Sequence, residues 1–228
     1  MPTENEKFSL DPITYVKMVC VNLQTGGGIS AVGAFNANNA YAPAYFDLTP
    51  WAKPLFGSPS QVMLDGKNAY AAGLIQGYYV PYIAYGTITS NNADMVPLWD
   101  VPASAPPYRF IFTGGQNGCS LLLLTGRTND TVCALHYPNS DGKKVDYPLL
   151  ARIGKTKADI ILAIDFDLYG EDDNPNACSF FFYNGTEWIG ITQPQIQGGP
   201  DMKWRRPSMS INRAKGVRKV AKNSVGSA

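Results

Sequence analysis

Residues 108–137, YRFIFTGGQNGCSLLLLTGRTNDTVCALHY, decide how this chain of 228 residues is read. Tyr108 to Thr113 is rich in aromatic and β-branched side chains and predicts a strand. Gly114 to Asn117 is a glycine loop, and Cys119 to Thr125 predicts a second strand. Gly126 to Asp130 carries turn chemistry, after which Thr131 to Tyr137 predicts a returning strand. The last two strands and their turn form a hairpin.

That hairpin carries the only histidine in the chain, His136, seventeen residues after Cys119. Histidine is the usual proton shuttle near neutrality. A cysteine nucleophile needs such a partner to lose its proton and to protonate a leaving group. Opposed residues of an antiparallel pair have a constant index sum, and side chains alternate faces. A two-residue turn at Arg127-Thr128 gives a sum of 255 and places Cys119 directly opposite His136. A four-residue turn over Arg127 to Asp130 gives 257, so Cys119 opposes Pro138 and His136 is its diagonal neighbour on the same face. An even register puts the two on opposite faces. The Thr-Asn-Asp composition favours the longer loop.

The approach to Cys119 adds further elements. Glycines at 114, 115 and 118 allow backbone conformations that turn several N–H groups toward one point. Gly115, Asn117 and Gly118 are therefore candidate substrate-loop residues, and the amide of Cys119 with a neighbour is a candidate oxyanion hole. Thr113 ends the preceding strand with a hydroxyl able to orient the imidazole.

Outward from this stretch, Tyr, Phe, Gly and Pro are abundant, and the chain is 45% apolar and 12% aromatic. These proportions predict a single β-rich α+β domain of mixed and antiparallel sheets, packed as a sandwich with a few short helices. Residues 1–11 are expected to be a flexible N-terminus, 12–202 the catalytic domain and 203–228 a basic C-terminal tail. Within the domain, strands are expected over Ile13 to Leu23, Ile29 to Phe35 after the Gly26-Gly27-Gly28 turn, Ala44 to Leu48, parts of 68–88, 158–168, 178–183 and 187–192. Prolines between Asn91 and Pro107 predict a long connection. Short helices are expected at 145–153 and within 211–223.

The net charge of +1 hides an asymmetry. Of nineteen basic residues eight follow Asp201, leaving eleven against eighteen acids in the body, a balance of −7. Such a tail is expected to be a solvated end or a docking arm for an acidic partner. Aromatic residues are absent after Trp204, which argues against sequence-specific RNA recognition, and no DNA partner is expected. Cys20, Cys119, Cys133 and Cys178 form no CxxC pair, and with one histidine no metal site and no cofactor are expected. A reduced environment is the expectation for these thiols. No apolar run is long enough to span a membrane, and MPTENEKF, which carries acids and no apolar stretch, is not expected to act as a secretory signal. A cytoplasmic product is expected, with delivery elsewhere by another route compatible with it.

The run Thr113-Gly-Gly-Gln-Asn-Gly118-Cys119, then a strand, a short turn and a strand ending at His136, resembles the active-site hairpin of the cytotoxic necrotizing factor-like deamidases. That superfamily includes the necrotizing factor toxins, the Burkholderia lethal factor and the chemoreceptor glutamine deamidases. The resemblance covers roughly 30 residues and departs from the toxins in having Asn-Gly-Cys where they tend to have Ser-Gly-Cys. It implies Cys119 as nucleophile, His136 as general acid/base and Thr113 as the supporting third member. The implied activity is toxin- or effector-like conversion of a target protein's glutamine to glutamate, with transglutamination when an amine replaces water. The implied partner is a protein substrate, which for an effector is a host protein reached by secretion or delivery into the host cytosol.

A different class is a non-enzymatic β-sandwich module that binds calcium or carbohydrate. Its signals are the oxygen-rich turn Asp165 to Asp173 and the aromatics Trp51, Trp99 and Trp188. The turn fails as an EF-hand, because Tyr169 stands at position five and Asn176 at position twelve in place of the bidentate Glu. Gly28 to Gly33 lacks the Lys-Ser/Thr ending of a P-loop, and there is no Gly-x-Ser-x-Gly elbow.

Overall fold

The structure, a computed structural model, describes residues 2–23, 44–50, 61–67, 69–80, 98, 100–138, 145, 147–170, 175–197, 212–214 and 218–220. Among them are helices α1 (Glu4–Leu10), α2 (Pro12–Met18) and α3 (Tyr147–Arg152). The strands are β1 (Cys20–Leu23), β2 (Ala44–Pro50), β3 (Gln61–Lys67), β4 (Ile75–Val80), β5 (Asp100–Pro102), β6 (Phe110–Thr113) and β7 (Cys119–Thr125). They continue as β8 (Thr131–Pro138), β9 (Ile160–Ile164), β10 (Pro175–Tyr183), β11 (Trp188–Gln197), β12 (Asn212–Ala214) and β13 (Arg218–Val220).

The strands form two sheets. The larger runs β1-β3-β2-β4-β6-β10-β11-β12, with β13 also paired to β11; the smaller runs β5-β8-β7-β9. Pairs β1–β3 and β4–β6 are parallel and the others antiparallel. The expected β-rich α+β sandwich is thus the observed one.

Alternation along β6 and β10 builds the layers. Phe110, Phe112, Phe180 and Phe182 face α1 and α2, where Phe8, Tyr15 and Val16 complete an aromatic core. Each such buried phenyl contributes roughly 1.5–3 kcal/mol over its exposed state. Ile111 and Phe181 point the other way and pack with Leu121, Leu123 and Ala134 of the small sheet. Thr113 shares that inter-sheet parity on β6. The leucine run of β7 does not alternate in polarity because both its faces are covered: Leu122 and Leu124 pack with Leu149 and Leu150 of α3. The small sheet therefore lies between the large sheet and α3.

Several expectations are corrected. The N-terminus, read as loose, is helical over Glu4–Leu10, because Thr3 and Glu6 form a reciprocal capping box. The strand expected over Ile13 to Leu23 begins only at Cys20. Asp11 caps Thr14 N–H at 3.0 Å and Pro12 occupies the first turn, so Pro12–Met18 is helix. The carbonyls at the end of α2 are met from β11, where Gln193 Nε2 donates to Val16 O and Val19 O, while Gln195 Nε2 donates to Val21 O of β1. The strand expected over 158–168 stops at Ile164 and continues as a 3₁₀ turn, Phe166–Leu168. The helix expected within 211–223 is replaced by β12 and β13, which hydrogen-bond the otherwise open edge of β11. Strand β3 falls in a stretch assigned no element from sequence. The turn at 26–28 and the strand at 29–35 lie outside the described residues, as does most of the basic tail. No helix among the described residues is long and apolar enough to cross a membrane.

Candidate active site

The β7–β8 register pairs Cys119 with Pro138, Leu121 with His136 and Thr125 with Val132, which is the index sum of 257. The turn is therefore Arg127 to Asp130, closed by Gly126 N–H donating to Thr131 O at 2.9 Å. A Cβ at Gly126 would lie 2.8 Å from the Thr131 carbonyl carbon, so this close crossing needs glycine. Arg127 ties the turn to the buried Asp100 of β5, with Nε 2.8 Å from Oδ2.

With that register set, Cys119 Sγ lies 2.8 Å from His136 Nε2. On the other side of the ring, Thr113 Oγ1 lies 2.6 Å from Nδ1 and 2.7 Å from Val80 O. Thr113 belongs to the large sheet and the Cys-His pair to the small one, so the chain of contacts bridges the sandwich. A carbonyl only accepts, so the single threonine proton goes to Val80 and Thr113 accepts from Nδ1–H. Nε2 is left with its lone pair facing the thiol, the tautomer a general base requires.

Cys119 is 4% exposed and His136 1%. Burial pushes the imidazole down to about 3. Burial also raises the Cys119 thiol, opposed by the backbone amides of Asn117 and of Cys119 itself and by the Tyr169 hydroxyl. The resting pair is consequently neutral thiol and neutral imidazole. The same two amides favour the thiolate over the thiol.

The loop before Cys119 departs in part from its sequence reading. Gly118 has φ of 135°, a conformation that glycine alone adopts easily, but its N–H donates to the Tyr169 hydroxyl at 3.0 Å and is thereby occupied. Gly115 lies beside Asn176, whose Oδ1 would be 3.5 Å from an added Cβ. Asn117 remains through its backbone amide. Two residues escaped the sequence. Tyr169, 2% exposed, also donates to Cys119 O at 2.5 Å. Gln116, fully buried, pairs its backbone with Ala177 and donates from Nε2 to Cys119 O at 3.2 Å. Fifty residues separate Tyr169 from the nucleophile, so no spacing marks it.

A cavity of about 990 Å³ lies at the far end of the hairpin, lined by Thr125, Gly126, Arg127 and Trp188 among others. Six residues of β7 separate Thr125 from Cys119, about 20 Å along a strand, so this space is apart from the thiol. Of the aromatics considered for sugar stacking, Trp188 is 5% exposed and donates to Pro102 O, which makes it a core residue. Trp51, Trp99 and the acidic residues 171–173 lie outside the described residues. All four cysteines are free and buried.

The fold and site define a two-sheet sandwich holding a buried Cys-His-Thr relay. No family model matches the chain, and no curated protein matches it.

Proposed function

We propose that this chain is a toxin- or effector-like cysteine hydrolase that deamidates a glutamine side chain of a target protein. The single observation that carries the proposal is the continuous relay from Val80 O through Thr113 and His136 to the Cys119 thiol. Its hairpin setting is the one the deamidase resemblance implies.

In this mechanism His136 Nε2 takes the thiol proton as Cys119 Sγ attacks the carboxamide carbon. Negative charge collects on the former carbonyl oxygen, toward the Asn117 and Cys119 amides. The imidazolium, steadied by Thr113, returns its proton to the nitrogen, and ammonia leaves a thioester. Water then attacks with His136 again as base, and the thiol departs with the proton, leaving glutamate. An amine in place of water gives an isopeptide bond.

Ammonia release and site-resolved Gln-to-Glu conversion in a panel of candidate target proteins test the proposal. Cys119→Ala and His136→Gln are expected to abolish both while remaining folded. Undiminished conversion by either variant would remove the proposal.

A further inference from the structure

We propose that Tyr169 is a positioning residue for the nucleophile, its hydroxyl clamping the Gly118–Cys119 segment so that the Cys119 amide is held toward the sulfur. The role deepens the deamidase proposal and rests on it for the reaction, while its effect on the thiol is independent of any substrate.

The clamp is two-sided. A carbonyl only accepts, so the phenol proton goes to Cys119 O at 2.5 Å. A backbone N–H only donates, so Gly118 N–H fills a phenol lone pair at 3.0 Å. Between those two anchors lie the four backbone torsions of Gly118 and Cys119, including the φ of 135°. Midway between them sits the Cys119 N–H. Fixing both ends fixes where that amide points, and Gly118 N–H is withdrawn from competition for the same charge. Gln116 Nε2 supports the clamp by donating to the same carbonyl.

The phenol is suited to a permanent donor. It is buried, and burial together with nearby negative charge from Cys119 and Asp165 holds it protonated well above the ordinary range. Among the described residues, the titratable groups facing the thiol region are His136 from β8, and Tyr169 and Asp165 from the segment after β9. Its ring packs edge-on against Phe166 at 5.6 Å, a contact that phenylalanine preserves.

The test is the pH–rate profile of Cys119 alkylation by iodoacetamide in the full chain, resolved by site with mass spectrometry, for wild type and Tyr169→Phe. Loss of the hydroxyl removes support for the thiolate, so the profile is expected to move up by about one pH unit, about tenfold less thiolate at a given pH below the midpoint. On a deamidated target, kcat is expected to fall about 10²-fold with KM little changed, in line with a misplaced oxyanion donor. Superimposable alkylation profiles overturn the proposal. If Tyr169→Phe does not fold, 3-fluorotyrosine at position 169, a stronger donor, is expected to move the profile down, and an unmoved profile again overturns it. A shifted profile in a chain that releases no ammonia from any target keeps the clamp and removes the deamidase reading.

Discussion

Thr113 and His136 meet across the two sheets, hydroxyl to Nδ1 at 2.6 Å, while the same hydroxyl is committed to Val80 O at 2.7 Å. That double use assigns the ring tautomer. Because the chain has one histidine, its ¹⁵N spectrum is unambiguous: Nδ1 is expected protonated and Nε2 unprotonated at pH 7. The reverse assignment would sink the relay. Thr113→Val removes both hydroxyl contacts, to Nδ1–H and to Val80 O, expected to cost about 1–3 kcal/mol and to lower the proposed deamidation rate about 10²-fold.

His136 also sets a pH dependence of stability. Its folded pKa of about 3 lies below that of the unfolded imidazole, so the unfolded chain binds the proton first as pH falls. Stability from this group is complete above pH ~7 and is lost through the window from ~6.5 toward 3, by about 1.4 kcal/mol per pH unit. Asp165, half-buried and raised by burial, acts in the opposite sense at the acid end. Denaturant unfolding at pH 7, 5.5 and 4 is expected to show a flatter profile for His136→Gln than for wild type. Equal slopes would contradict a neutral buried imidazole.

A neutral resting pair has a second signature. Cys119 alkylation is expected to be slow at pH 7 and to rise about tenfold per pH unit below the thiol midpoint. Cys133, pushed up to about 11, and Cys178, buried and raised further, should follow it in that order. Rapid labelling of Cys119 that does not change between pH 6 and 8 would instead indicate a preformed thiolate–imidazolium pair.

Parity along β8 decides whether the site exists. Inserting one residue between Leu135 and His136 leaves the turn intact and carries the imidazole to the position opposite Ser120, on the α3 face. Inserting two residues there restores the face and places the imidazole directly opposite Cys119. The double insertion is therefore expected to retain more activity per folded molecule than the single one. The opposite ranking would show that bulges, not parity, control the pair.

Fold and site should also separate cleanly at Gln193. It donates to Val16 O and Val19 O and accepts from Val21 N–H and Gln195 Nε2. Gln193→Leu removes four buried hydrogen bonds, at about 1 kcal/mol each before relaxation. A midpoint drop of several kcal/mol with unchanged kcat in the surviving fold is expected from chemical unfolding and ammonia assays.

Local chemistry alone determined the hairpin that carries the candidate site. The run from Tyr108 to Tyr137 holds its strands, its turn and its same-face pair within thirty residues, and the period of two makes parity readable from indices. Local signals were also present in Thr3, Glu6, Asp11 and Pro12, where capping overrode the β-branched residues that suggested a strand. The placement of Thr113 against His136 was legible only as a spacing; their contact depends on one sheet stacking on the other. Tyr169 and Gln193 were decided by tertiary structure alone, at 50 residues from Cys119 and more than 170 from Val16 and Val21. Their partners are backbone groups, which every residue carries and no sequence pattern distinguishes. Strands β12 and β13 follow the same logic: the open edge of β11, rather than local propensity, makes them strands.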